Sequence, residues 1–150
     1  MAKRYALANY IVSIKPKDRS LAETFGETVS VGGTGSNLGS ITVSRSNEMF
    51  SMKSYATGGY AIDKNLSKVG KVSIKLHQLS TEVQKFIKLC NMYYIDDYDG
   101  CTITVTDINN DLIANCIDCF INQASQDFEE QSGDQTWEFV VGDVNFVSQA

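Results

Sequence analysis

Alternating apolar and polar residues mark the clearest unit of the chain, a strand followed by a helix. Val72, Ile74 and Leu76 alternate with polar residues, and this period of two predicts a half-buried β-strand. Apolar residues at spacings of three and four follow, which predicts an amphipathic helix near 80–91. Ser80 stands at the N-cap position, so we expect its hydroxyl to accept a hydrogen bond from a first-turn amide.

The segment after the helix alternates in the same way, between threonines and apolar residues. Residues 101–106 read Cys-Thr-Ile-Thr-Val-Thr, so a strand here would carry hydroxyls on one face and apolar side chains on the other. A single amphipathic helix among strands must bury its apolar stripe against a sheet. The unit therefore predicts a sheet with one helix packed on it.

Further strand patterns flank this unit on both sides. A largely apolar run over residues 5–14 ends at Pro16, the only proline of the chain. Shorter patterns predict strands over residues 25–31, 41–50, 55–62, 112–122, 136–141 and 144–147, with a hairpin turn at 107–111. The stretches near 15–40 and 49–66 predict extended loops. We expect one mainly β domain over residues 1–150.

Composition and charge narrow the classes of function. The chain has 150 residues, of which 43% are apolar and 21% charged, values typical of one globular domain. It has no run of about 18 apolar residues, and its start lacks the apolar core of a secretory signal. We therefore expect no membrane span and a chain that stays in the cytoplasm. A net charge of −5 disfavours a protein that clamps the nucleic-acid backbone.

Two stretches match a ligand-binding motif only in part. Cys116 and Cys119 form a CxxC, but residues three apart on a strand point to opposite faces, so we expect buried thiols and no zinc site. The glycine-rich run over residues 32–39 is followed by a strand, whereas a phosphate-binding loop needs lysine and a helix. The run is interpreted as a flexible connection.

Catalytic chemistry has equally little support. Residues 96–99 are rich in aspartate but lack the later glutamate and the spacing of a calcium loop. His77 is the only histidine, and an enzyme would need a pocket around it and Cys101 that spacing does not indicate. The sequence therefore predicts no catalytic, cofactor-binding or metal-binding residues, and no enzyme.

Five features follow one another along the chain, each occurring once. The first two are an aromatic opening strand from Tyr5 and Phe50 followed by Gly58-Gly59-Tyr60. The other three are a strand and helix starting at Lys71, a strand and hairpin at 101–111, and Trp137-Glu138-Phe139. In this order the chain resembles the tail tube proteins of contractile-tailed bacteriophages. Residues 19–38 depart from the family pattern because they are longer and richer in glycine.

The resemblance implies a β-sandwich with one flanking helix, whose sheets close into a barrel when copies assemble. Six copies would form a ring, and rings would stack into the inner tail tube that conducts DNA during ejection. The implied partners are other copies of the chain, the tail sheath protein, and the baseplate and tail-terminator proteins. The tape measure protein and DNA would pass through the lumen without sequence-specific binding. The location would be the virion tail, after assembly in the host cytoplasm.

Two sets of residues are candidates for assembly. The lumen-facing candidates, which are neutral or acidic and would let phosphates slide past, are Thr102, Thr104, Thr106, Asp118 and Asn122. The inter-ring candidates, which lie in long excursions from the predicted sheet, are Gly33, Gly35, Asn37, Phe50, Tyr55 and Tyr60.

Two other readings stay open. The chain could be the tube subunit of a contractile bacteriocin or a type VI secretion system, because these tubes share the architecture. It could also be a monomeric β-sandwich module that binds a sugar or peptide on an aromatic platform formed by Tyr93, Tyr94, Ile95 and Tyr98. The two readings differ in class, since only the first requires assembly.

Overall fold

The computed structural model describes residues 6–33, 38–107, 109, 111–125 and 128–148. Its strands are β1 (Tyr10–Pro16), β2 (Val29–Gly32), β3 (Leu38–Arg45), β4 (Phe50–Ser54), β5 (Tyr60–Lys64), β6 (Gly70–His77), β7 (Cys101–Asp107), β8 (Leu112–Asn122) and β9 (Asp134–Phe146). Its α-helices are α1 (Arg19–Phe25) and α2 (Thr81–Ile95), and a short 3-10 helix covers Leu7–Asn9. The predicted mainly β class is confirmed.

Seven of these strands form one antiparallel sheet that curls into a half-barrel. Its order is β2-β1-β7-β8-β9-β6-β3, while β4 and β5 pair only with each other in a separate ribbon. The two strands predicted over residues 136–141 and 144–147 are one continuous strand, β9. The stretches predicted as loops contain α1 and β2 in one case and the ribbon in the other.

Alternation along the central strands builds the core on one face of the sheet. Val72, Ile74 and Leu76 of β6 are buried, as the period of two predicts. The ring of Phe86 on α2 lies 5.7 Å from the rings of both Trp137 and Phe139 on β9. Helix α2 therefore covers the middle of the sheet with an aromatic cluster, as predicted for the amphipathic helix.

The predicted helix near 80–91 is confirmed as α2, and it continues for another turn to Ile95. Ser80 is the N-cap residue, but its predicted cap bond to a first-turn amide is wrong. The Ser80 hydroxyl instead donates to the Glu82 carboxylate at 3.0 Å. Leu79, which continues the apolar spacing in the sequence, lies outside the helix and is exposed.

Helix α1 is an element that the sequence pattern does not predict. Its N-cap is Asp18, whose carboxylate accepts a hydrogen bond from the Ser20 amide at 3.0 Å. Leu21 and Phe25, four residues apart, are both buried. The sequence predicted one flanking helix, which is α2. The additional helix α1 is so short that its apolar stripe consists of these two side chains.

Strand β1 begins later than the apolar run indicates. The run starts at Tyr5, which lies outside the described residues, and the strand itself begins at Tyr10. The strand ends at Pro16, as predicted, and lies between β2 and β7 in the sheet. Among the described residues, neither α-helix has the length and apolarity that a membrane crossing requires.

Candidate assembly surfaces

The β4–β5 ribbon is the most exposed secondary structure of the molecule. All five residues of β4 are exposed, and in β5 only Ala61 is partly covered. The turn between the strands is closed by the Tyr55 amide, which donates to the Gly59 carbonyl at 2.9 Å. An isolated two-stranded ribbon is only marginally stable in water, so this element is expected to gain stability from a further contact.

The two faces of the ribbon differ in chemistry. One face carries Phe50, Met52, Tyr60 and Ile62, whose exposed fractions lie between 53% and 73%. On this face Met52 pairs directly with Ile62 across the ribbon. The other face carries Ser51, Lys53, Ala61 and Asp63. The ribbon is therefore amphipathic, with an apolar face that the described chain leaves open to solvent.

Two of the three ribbon-region candidates lie on this apolar face, namely Phe50 and Tyr60. Tyr55 follows β4, with its ring 5.6 Å from the Lys53 ammonium. Alternation of Phe50 and Met52 with polar neighbours could have revealed the amphipathic strand from sequence. The sequence instead predicted one strand over residues 41–50 followed by a loop, whereas β3 ends at Arg45 and β4 begins at Phe50.

The glycine-rich candidates fall at the edge of the described structure. Gly33 directly follows β2 with a φ of 88°, a conformation that favours glycine. Gly35 and Asn37 lie outside the described residues. The structure therefore places Phe50 and Tyr60 at opposite ends of one ribbon face and Tyr55 just beyond β4, and the grouping with the glycine-rich run stays a prediction.

A second apolar surface is an open groove of about 180 Å³ on the core-bearing side of the sheet. It is lined by Leu7, Tyr10, Ile41, Val43, Ile113 and Phe146, over the buried Val105 and Ala114. These residues come from strands at opposite ends of the sheet order, so the groove exists because the sheet curls. None of them had been identified as an assembly candidate from the sequence.

Arg45 fixes the curl at one side of this groove. Its guanidinium donates to the Val144 carbonyl from Nε at 3.2 Å and from Nη2 at 2.9 Å. It also lies 5.4 Å from the centroid of the Phe146 ring. Because β6 lies between β3 and β9 in the sheet, Arg45 bridges two strands that are not neighbours and orients Phe146 at the groove.

The face of the sheet opposite α2 carries an uncharged polar row. Residues that share this face and adjoin one another in the strand registers are Ser30, Ser13, Thr104, Asn115 and Asn145. The row crosses five strands, from β2 to β9, and Ser13 and Ser30 are within 3.5 Å of each other through their hydroxyls. Thr104, one of the lumen candidates, is at its centre.

The other lumen candidates lie around this row. Thr102 and Thr106 are partly exposed on the same face of β7, and Asn122 is exposed at the end of β8. Asp118 is exposed and pairs with Lys17 at 3.2 Å. Charges of both signs flank the row, since Lys71 and Lys75 lie on β6 beside Glu138 on β9. The face is thus rich in hydroxyls and carries charges of both signs around an uncharged centre.

Asp118 belongs to a β-bulge that alters the predicted orientation of the cysteines. Ile117 and Asp118 together oppose a single residue of β7, and Asp118 has a φ of 56°. Because of the extra residue, Cys116 and Cys119 both point into the core. The prediction that they face opposite sides of the strand is therefore wrong, since it assumes a regular strand.

The bulge does not create a metal site in the part of the chain that the structure describes. No group of three or more histidine, cysteine or acidic side chains there could hold an ion. Burial raises the pKa of the Cys116 thiol to about 11 and that of Cys119 to about 12. These thiols are neutral at pH 7, a state that neither binds metal well nor acts as a nucleophile.

His77 has local hydrogen-bond partners at the end of β6. Its Nδ1 accepts from the Leu79 amide at 3.3 Å, so Nε2 carries the proton and donates to the Ser132 hydroxyl at 3.0 Å. Cys101, the other residue of the enzyme hypothesis, is buried at the start of β7. The Cys101 sulfur lies 3.8 Å from the Tyr93 hydroxyl, which donates to the Asp99 carbonyl at 2.9 Å. Both side chains thus have structural contacts.

The aromatic platform of the binding-module reading is divided between two environments. Tyr93 packs edge to face against Tyr98, with ring centroids 6.1 Å apart, and against Phe120 at 5.9 Å. Tyr94 and Ile95 are exposed at the end of α2. The four residues therefore do not form one flat surface of the kind on which a sugar ring stacks.

Sequence comparison identifies the family of the chain. The profile of the family described as bacteriophage PhiTE tail tube protein matches residues 20–148. The chain belongs to this tail tube family. The match includes α1 from Ser20 onward, the whole ribbon, the groove apart from Leu7 and Tyr10, and the whole of β9. Membership confirms the resemblance to phage tail tube proteins and makes the chain a structural tube protein. No curated protein sequence shows a significant match.

Solved structures of contractile injection machines share the fold of this tail tube family member. The tube-terminating cap of the anti-feeding prophage aligns with a TM-score of 0.61 at 11% identity, over 99% of this chain and 95% of the other. A sheath/tube terminator of an extracellular contractile injection system aligns with a TM-score of 0.59 at 13% identity, over 98% and 99%. A chain of the sheath-tube complex of such a system aligns with a TM-score of 0.55 at 14% identity, over 97% and 93%.

Proposed function

We propose that copies of this chain form hexameric rings that stack into the inner tube of a contractile phage tail, through which DNA passes during ejection. The observation that carries the proposal is the open half-barrel, whose sheet ends in β2 on one side and β3 on the other. Exposed edges of a sheet are sites for pairing with another chain. A ring of such sheets joined through their edges would close into one large barrel.

The face opposite α2 is suited to line the channel of that barrel. The uncharged row through Thr104 offers hydroxyls and amides that bind phosphate weakly, and the charges that flank it are of both signs. Asp118 is offset by Lys17 at 3.2 Å. DNA would therefore meet a wall whose centre is uncharged and whose flanking charges are of mixed sign. In this proposal Thr102, Thr104, Thr106, Asp118 and Asn122 face the lumen.

The β4–β5 ribbon is suited to reach a neighbouring ring. Its apolar face, which includes Phe50 and Tyr60, would be buried by the next copy, and this burial would offset the marginal stability of an isolated ribbon. Tyr55 and the glycine-rich run from Gly33 would lie close to the same contact. Subunit stacking would then cover strands that are almost fully exposed in the single copy.

The partners follow from the place of a tube in a contractile tail. We infer contacts with a sheath protein on the outside of the tube, with a baseplate at one end and with a terminator at the other. Structures with this fold come from a sheath-tube complex, a terminator and a baseplate. The tape measure protein would occupy the lumen before DNA. The chain would act in the virion tail after assembly in the host cytoplasm, without enzymatic activity.

A tube subunit of an extracellular contractile injection system is the second candidate. It is favoured by the likeness of the fold to tube and terminator chains of such machines. Both candidates require the same rings and the same stacking. They differ in what passes through the channel, and a wall of hydroxyls and mixed charges would allow passage in either case.

Electron microscopy of the purified protein over a concentration series tests the proposal. We expect hollow rings or tubes with six-fold end views. Met52→Asp places a charge in the apolar face of the ribbon and should prevent stacking, whereas Ser51→Asp on the opposite face should not. A wild-type protein that stays monomeric at every concentration and in the presence of baseplate extract would overturn the proposal.

A further inference from the structure

We propose that the apolar face of the ribbon of one copy binds in the groove of another copy, with Met52 and Ile62 seated against Ile41, Val43 and Phe146. The inference rests on the proposed function, because it names the contact through which the copies join. It assigns the ribbon a specific receptor on the same chain, at a position that the ribbon does not occupy within its own copy.

Both surfaces are apolar and open. Met52 is 73% exposed on the ribbon, and Phe146 is 52% exposed at the groove. Exposed apolar patches on a folded protein mark interaction sites. A ribbon with one apolar face is complementary to a groove of about 180 Å³ lined by aliphatic and aromatic side chains, since contact would remove both from water.

Charges at the two surfaces include a pair of opposite sign. On the apolar face of the ribbon, Lys64 pairs in register with Phe50, and its ammonium lies 5.9 Å from the Phe50 ring centroid. At the groove, Asp107 pairs in register with the lining residue Tyr10, and Asp111 lies at the same turn. Arg45, which also lies at the groove, is already hydrogen-bonded to the Val144 carbonyl. Lys64 would therefore meet carboxylates at the rim of the groove, which favours this pairing.

The proposed contact joins two different surfaces, so it is heterologous. A heterologous contact does not end at a dimer, because one copy of the pair still presents a free groove and the other a free ribbon. Repetition gives a closed ring or an open helical stack. A ribbon that paired with another ribbon would instead end at a dimer. Growth into a tube therefore requires the kind of asymmetry that the ribbon and groove provide.

Cross-linking between two variants that each carry one added cysteine tests the contact. One variant is Met52→Cys on the ribbon and the other is Val43→Cys in the groove. The four native cysteines are buried, which keeps their reaction with a short bis-maleimide low. The full-length variants are mixed in equal amounts, and one of them carries a size tag. We expect the cross-linked product that joins the two different variants, the mixed product, to be several-fold more abundant than either product that joins two copies of the same variant. Ser51→Cys on the polar face, mixed with Val43→Cys, is the matched control and should give several-fold less.

Three results would overturn the inference. The first is a mixed product no more abundant than the product that the Ser51→Cys control gives. The second is a dominant product that joins two ribbon cysteines. The third is a Val43→Cys thiol that maleimide does not reach in dilute monomer, because its own chain fills the groove. Ile41→Cys replaces Val43→Cys if the latter does not fold. Tubes without the mixed product would refute this contact and leave the proposed function standing. The mixed product without rings or tubes would support the contact and refute the proposed function.

Discussion

The Asp118 carboxylate lies 3.2 Å from the Lys17 ammonium, at the bulge where β8 accommodates its extra residue. Asp118 has a φ of 56°, in the left-handed region that aspartate tolerates better than most residues. Gly142 lies across from it on β9, where an added Cβ would be 3.3 Å from the Asp118 Cβ. The backbone conformation, rather than the ion pair, is therefore the main constraint at this site.

Substitutions at Asp118 should separate these two contributions. Asp118→Gly removes the ion pair, which is worth about 0.2–1 kcal/mol at an exposed site, but suits the positive φ, so we expect stability within about 1 kcal/mol of wild type. Asp118→Val should lose about 1–3 kcal/mol, because a β-branched residue is strained there. Urea unfolding followed by tryptophan fluorescence measures both. Equal losses in the two variants would contradict a backbone constraint.

Gly70 is required by close packing between strands. A Cβ at this position would overlap the Ser44 carbonyl oxygen and lie 2.7 Å from a methyl group of Val144. We expect Gly70→Ala to lower the free energy of unfolding by about 1–3 kcal/mol, since the backbone must move to relieve the overlap. Gly133→Ala is the matched control, because nothing lies within 4 Å of its added Cβ, and it should change stability by less than about 0.5 kcal/mol. Comparable losses in both variants would show that the packing at Gly70 is not limiting.

The elements with strong periodicity were predictable from sequence. Strand β6, helix α2 and strands β7 and β8 appear close to their predicted bounds, because each buries one regular face. Helix α1 was not predictable in the same way, since two buried side chains, Leu21 and Phe25, are too few to set a period. A cap at Asp18 was its only other indication in the sequence.

The assembly surfaces were only partly predictable. Phe50, Tyr55 and Tyr60 were identified because they lie in a long excursion, and the structure places them on or beside one ribbon. The groove depends on the curl of the sheet, which brings Ile41 and Tyr10 together from distant strands. The orientation of Cys119 depends on the bulge at Asp118, and no local sequence pattern predicts this bulge. Features that arise from long-range geometry are the ones that periodicity does not reveal.

Buried thiols should make the protein less stable in alkali. The pKa of Cys119 is raised from 9.0 to about 12 by burial, so the folded state keeps a proton that the unfolded state loses above about pH 9. Stability is therefore fully present below this pH and falls as the pH rises toward 12. We expect the urea midpoint to decline from pH 8.5 to pH 10.5 and Cys119→Ala to reduce the slope of that decline. Identical slopes in the variant and the wild type would exclude this thiol as a cause.

Thr104 offers the sharpest test of which sheet face lines the channel. It lies at the centre of the uncharged row on the face opposite α2. In the proposed hexameric ring, Thr104→Lys would therefore place six cations in the lumen without touching the core. In a phage that carries this variant we expect tails of normal length, normal adsorption and a marked loss of DNA delivery, because phosphates would be retained by the new charges. Gln84→Lys adds the same charge to the exposed side of α2 and should leave delivery unchanged. DNA delivery by the Thr104→Lys phage at the wild-type level, with intact tails, would place this face of the sheet away from the lumen.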